Sequence, residues 1–428
     1  MQMPMQGKEP KSLAQRDRAR ILKSIRKLVP ARHINVTQPN QDYGKWLALF
    51  DSRTPDLLVT GDVTVFEKEV RELLQALGSS HTAFFKKDGA KVPAPYSVNA
   101  SLRAVDTAQG KRWMFEDVVE DGPAAVAGIK SGEILLSIDS TSVMPPATPS
   151  FCIGSNHSVE IGSLAGEARQ VTLQVPDKKA KDRPPMIEPR SLSHSFMPPD
   201  IGYLKVNSFP GSIGLDFAKD LDHAVEDLKM RGATRLVIDL RGNIGGALGS
   251  LRLMSYLCPG KVEIGHSLTR KRLREGYEKD KLTRIGKIPS TKLDLLLMFL
   301  RFRFIQRDRS MILVTEGLGP QPFHGRIVML INHHSHSATE MVAGFAKENQ
   351  LARLVGTRSA GEVLGAANFV LSKGYRLRMP VAGWYTWSGN CIEGAGVEPD
   401  VAVENTPELL AMGTDTQLQE ALELVKSL

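Results

Sequence analysis

From residue 201 onward, short apolar strands alternate with helical segments, and that alternation restricts this half of the chain to an α/β domain. GYLKVNSF (202–209) reads as a strand. GLDFAKDLDHAVEDLKMRG follows as a helix closed by Gly232, and TRLVIDL then forms a strand running into the loop RGNIGG. Further on, IVMLIN is another buried strand, SATEMVAGFAKENQ a helix and ARLVG a strand. The stretch from Lys261 to Pro320 interrupts the series as a long basic insertion with no assignable shape.

The region before residue 201 is built differently. Residues 1 to about 90 read as mainly helical, with Phe66, Val70, Leu73, Leu74 and Leu77 at helical spacing and Gly78 as the stop signal. SSHTAFF therefore falls on a turn leading into a strand. From Tyr96 to about Pro176 the pattern becomes short strands separated by turns, among them DGPAAVAGIKSGEILLSID. Residues 177 to 200 are rich in proline and charge, lack periodicity and read as a linker.

Composition narrows the function classes. The 428 residues are 42% hydrophobic and 24% charged, ordinary values for a globular protein. The longest apolar run, Leu295 to Leu300, meets Arg301 and Arg303, so no membrane span is expected. Cys152, Cys258 and Cys391 are too scattered for a disulfide framework or a zinc ribbon and are expected to be buried small side chains. The net charge of +8 gathers at the amino terminus and at Arg270 to Arg309, without aromatic interleaving, which argues against nucleic acid as a partner. The basic amino terminus has no apolar core behind it, so a cytoplasmic location is expected.

Two junctions could carry chemistry. In INHHSHSATEMVAGFA a buried strand ends at Asn332 and a helix begins within Ser335 to Glu340, so a serine lies beside unpaired backbone amides and the positive helix end. Such a serine could be a nucleophile, or Ser335, Ser337 or Thr339 could simply cap the helix. In IDLRGNIGGALGS, glycines after a strand allow close backbone approach to a ligand. His81 in LGSSHTAFF, Glu362 in GTRSAGEVLGA and Glu393 in WSGNCIEGAGVEPDVAV lie in further motif-like stretches. His333, His334 and His336 raise the question of zinc. Adjacent side chains are expected to point apart, and no acidic ligand sits at helical spacing, so no metal is expected.

In this order, LG-x-x-H-T, GPAAVAGIKSGEILLSID, IDLRGNIGG, S-x-S-A-T-E and EGAGVEPDV resemble the tail-specific, or C-terminal processing, serine peptidases. The resemblance runs from about Asp62 to Val403 and selects Ser337 as nucleophile. It implies a multidomain α/β protein with a helical amino-terminal segment carrying the histidine loop (1–95), an inserted PDZ-like domain (96–178), a linker (179–200) and a crotonase-like α/β peptidase domain (201–428). The processing branch pairs its serine with a lysine, and Glu362 stands at that position here. A carboxylate cannot replace a neutral lysine base, so either turnover is lost or another base serves.

The tricorn-like branch of the family supplies one. Carried over by position, His81 is the general base, Ser80 its partner and Glu393 a second orienting group. Oxyanion donors come from Ala338 and the Gly245–Gly246 loop. The resemblance implies peptide or unfolded-protein substrates, presented with help from the PDZ-like domain, and an acyl-enzyme route with no cofactor. A homo-oligomer is possible. The alternative is an inactive relative that binds peptides or small apolar ligands.

Overall fold

The structure, a computed structural model, describes residues 13–36, 42–86, 91–108, 110–164, 166–177, 185–210, 214–289, 291–300 and 310–428. They fall into two units, one of Met1–Asp88, Leu268–Tyr277 and Leu364–Gly383, the other of Gly89–Ser267, Glu278–Val363 and Trp384–Leu428. The fold is mixed α/β and multidomain.

The first unit is built on the helices Gln15–Arg32, Gly44–Val59 and Val63–Gln75. Asp62 caps the third, its carboxylate accepting from the Thr64 and Val65 amides. Gly78 (φ 62°) then turns the chain through the left-handed region, as the sequence predicts. The strand that follows, Ala83–Lys86, pairs antiparallel with Tyr375–Arg378 of the long strand Tyr375–Thr386, which also pairs with Leu364–Val370. Phe66, Phe84 and Tyr375 join the helix residues in one core, with Phe84 and Tyr375 stacked at 4.9 Å. The sequence reading assigned no strands to 364–383.

In the second unit, Ile201–Val206, Arg235–Asp239, Ile327–Ile331, Arg353–Gly356 and Val401–Ala402 lie parallel in that order. Both faces of this sheet are covered, which is why its strands read as apolar throughout. Leu236, Ile238, Met329 and Ile331 pack with the helices Leu215–Met230, Gly249–Leu257 and Ala338–Glu348. Val237, Val328, Leu330 and Val355 pack against Ala421 and Val425 of the helix Thr416–Ser427.

The expected linker needs correction. Residues 178–184 lie outside the described residues, but Leu192–Met197 is a strand paired antiparallel with Ile201–Val206. Prolines on either side hid its alternating pattern. Before it, Ala100–Thr107, Gly110–Val118, Ile134–Ile138, Asn156–Gly162 and Ala168–Gln174 form an antiparallel sheet around Phe115, Leu135, Phe151 and Ile161, with Pro123–Val126 as a short helix. Within the basic insertion, Glu263–Ser267 pairs with Met311–Val314. Arg301 to Arg309 lie outside the described residues. Cys258 is buried, Cys152 and Cys391 are partly buried, and all three are free thiols. No helix among the described residues is long and apolar enough to cross a membrane.

Candidate active site

The turn that carries Ser337 is held by its own polar side chains. The buried strand Ile327–Ile331 ends at Asn332, whose Oδ1 accepts from the Gly242 and His334 amides, each at 3.1 Å. Its Nδ2 donates to Asp117 Oδ2 at 2.9 Å, reaching the antiparallel sheet. Ser335 is fully buried; its hydroxyl donates to the Leu240 carbonyl at 2.9 Å and accepts from the Asn332 amide at 3.1 Å. Ser337 is partly exposed, at the N-cap of the helix Ala338–Glu348. Its backbone, at φ 57° and ψ −119°, lies outside the regions open to ordinary L-residues. Such a conformation costs about 1–3 kcal/mol and persists only where its surroundings enforce it.

Glu340 provides much of that enforcement. Its buried carboxylate accepts from the Ser337 amide at 3.1 Å, the Ser359 hydroxyl and Gly361 amide at 2.6 Å, and the Glu362 amide at 2.8 Å. Burial raises its pKa, outweighing these bonds, which act in the opposite sense. The next amide along, Val363, donates to Glu393 Oε2 at 2.7 Å. Glu340 and Glu393 thus hold consecutive amides of one loop. Glu362 turns its half-exposed carboxylate to His336 Nδ1 at 3.3 Å.

The glycine loop packs directly on this turn. Asn243 is fully buried: its Nδ2 donates to the Val206 carbonyl, its Oδ1 accepts from Gly245, and its carbonyl accepts from the His336 amide at 2.9 Å. Gly245 (φ 81°) faces the serine so closely that a Cβ on it would lie 2.7 Å from Ser337 Cβ. A Cβ on Gly246 would collide with the Phe209 carbonyl. The Gly245 amide is spent on Asn243, whereas those of Gly246 and Ala338 have no hydrogen-bond acceptor among the described residues.

The strand end beneath the loop is anchored by ion pairs. Arg241 makes a two-pronged contact with Asp239 at 3.0 and 2.7 Å and reaches Asp415 at 2.8 Å. Burial pushes the Asp239 pKa up, but Arg241 and Lys205 override it and hold the carboxyl well below its usual range.

Ser80 and His81 lie in the first unit; Ser337, Ala338, Gly245, Gly246 and Glu393 lie in the second. Ser80 Oγ is 2.8 Å from His81 Nδ1, and His81 itself has a left-handed backbone (φ 59°). The neighbouring Ser79 hydroxyl is 2.7 Å from Nε2 of buried His33 and 3.1 Å from Thr82 Oγ1. Burial, with the Arg270 charge adding to it, lowers the His33 pKa to about 4.

The histidine triplet departs from expectation. His333 and His334 do not point apart: their ring centroids are 4.1 Å from each other, and both Nε2 atoms face Glu116 Oε2, at 3.0 and 3.3 Å. The acid comes from the strand Gly110–Val118, a long-range contact that local spacing does not reveal. Asn332 and Glu340 were not singled out in the sequence. Only Glu340 had a signal, as the fourth residue of an S-x-x-E capping pattern.

Residues 200–403 match the model of peptidase family S41. The chain is 24% identical to the carboxy-terminal-processing protease of Bartonella bacilliformis, over 92% of this chain and 83% of that one. It is also 24% identical to tricorn protease homolog 2 of Streptomyces coelicolor, over 90% of this chain but 30% of that one. The solved photosystem II D1 C-terminal processing protease has a similar fold, with a TM-score of 0.53 and 18% identity over 95% of this chain and 96% of that one. The class is serine peptidase. Residues 200–403 carry the match to peptidase family S41, and the relatives that extend over most of the chain bear protease names.

Proposed function

We propose that this chain is an endopeptidase that cuts extended peptides through an acyl-enzyme on Ser337. The observation that carries the reading is the positive-φ backbone of Ser337 at a helix N-cap packed against the glycine loop, where the Ala338 and Gly246 amides have no hydrogen-bond acceptor among the described residues. Those amides would bind the oxyanion; each such donor is worth about 2.7–4 kcal/mol in the transition state. Gly245 contributes shape rather than a donor. Ser335 is unsuited to attack because its hydroxyl is buried and doubly engaged.

His81 is the general base in this reading. It takes the Ser337 hydroxyl proton during attack and returns it to the leaving amine. Ser80 supports the assignment through its contact with Nδ1, which fixes the orientation of the ring. Glu393 is the second orienting group. Residues 96–178 are read as PDZ-like and 201–428 as a crotonase-like domain. Ala100–Thr107 is the end strand of the antiparallel sheet, so an extended peptide can add to it by backbone pairing. The relatives' names favour polypeptide ends as substrates.

The test is hydrolysis of an unstructured polypeptide by the wild type and Ser337→Ala. The wild type should cleave, and the variant should lose roughly 10⁴-fold or more in kcat while keeping its fold. Binding of the polypeptide without cleavage by either protein would favour the non-catalytic alternative.

A further inference from the structure

The Glu116–His333–His334 cluster has no part in the peptidase reading, yet it has the form of a metal site. His333 Nε2 and His334 Nε2 lie 3.0 and 3.3 Å from Glu116 Oε2, and all three atoms lie within 4.8 Å of one another. In a tetrahedral zinc site with bonds of about 2.0–2.2 Å, neighbouring donor atoms stand roughly 3.3 Å apart. Glu116 Oε2 and His334 Nε2 are buried without a hydrogen bond of acceptable geometry. Such atoms are costly to leave unpaired. The Glu116 side chain is 9% exposed and His333 39%, so the cluster is walled on one side and open to solvent on the other.

The surrounding charges leave room for a cation. Arg103 Nε lies 3.4 Å from the other carboxylate oxygen, Oε1, and its remaining nitrogens bind Glu404 and the Asn405 carbonyl. We propose that Glu116, His333 and His334 bind one divalent cation of the zinc class, with water in the fourth position. Two imidazoles and a carboxylate suit zinc better than magnesium or calcium, which prefer all-oxygen sets. The ion would join the strand Gly110–Val118 to the turn that ends at Ser337. It would act as a clamp between the substrate-presenting sheet and the nucleophile, outside the chemistry itself.

Metal-free protein titrated with Zn²⁺ against a chromophoric chelator tests this without reference to peptidase activity. One equivalent should bind per chain, and Co²⁺ in its place should give the intense visible bands of a tetrahedral site. Glu116→Gln and His334→Gln should each weaken binding by more than about 100-fold. His336→Gln, which alters the neighbouring histidine paired with Glu362, should leave it unchanged. If the wild type binds no equivalent, or if binding survives in a folded His334→Gln variant, or is lost in His336→Gln, the proposal fails. Should Glu116→Gln not fold, the wild-type stoichiometry and the His334→Gln titration still decide.

Discussion

Gly245 lies against Ser337 so closely that a single added methyl group would stand 2.7 Å from the serine Cβ. The glycine also has φ 81°, where an L-residue is strained. Gly245→Ala must therefore push the loop away from the serine and shift the Gly246 amide with it. The expected result is a fall in kcat/KM of about 100-fold or more, with unchanged far-UV circular dichroism. Steady-state kinetics on a peptide substrate check it.

Glu340 faces four donors with two carboxylate oxygens. Glu340→Gln turns one oxygen into an amide group aimed at N–H or O–H donors. At least one buried donor then loses its acceptor, a loss of about 1–3 kcal/mol, visible as a lowered Tm. Activity should fall too, because the Ser337 amide and the 359–362 loop share this anchor.

His33 predicts an acid sensitivity in the unit that holds His81. Its folded pKa of about 4 lies below the ordinary imidazole value near 6.5. Between these values the unfolded chain binds more protons than the folded one, so stability rises with pH. The contribution is complete above about pH 6.5 and is lost as pH falls toward 4, by at most about 3 kcal/mol. Hydrogen-exchange protection factors in the helix Val63–Gln75, referred to the intrinsic rates at each pH, should fall as pH drops over that window in the wild type. In His33→Gln the dependence should flatten.

Glu362, which the resemblance sets at the position of the processing branch's lysine, pairs with His336 at 47% side-chain exposure. Its replacement by glutamine should leave kcat/KM within about tenfold of wild type, since surface pairs of this kind contribute little. A loss as deep as that of Ser337→Ala would make Glu362 a participant in the chemistry.

What could be read from the sequence was local. The helix ending before Gly78, the strand that runs into the glycine loop, and the junction at Ser337 each follow from apolar periodicity and turn residues within about fifteen positions. Contacts over long separations were not legible. Glu116 and His333 lie more than two hundred residues apart in the chain, and no local pattern links them. Likewise, the strand Tyr375–Thr386 pairs with Ala83–Lys86, next to His81, through a register that only the assembled sheet defines. The strand Leu192–Met197 was missed because flanking prolines and charges masked a six-residue alternation.

The account turns on Ser337 being an activated nucleophile with His81 as its base. Labelling with a fluorophosphonate probe, followed by mass spectrometry of the peptides, measures this directly, because only an activated serine reacts. The account predicts one adduct, on Ser337, absent in Ser337→Ala and formed at least about 100-fold more slowly in His81→Ala. An adduct on Ser335, no adduct at all, or labelling of His81→Ala at the wild-type rate would contradict it.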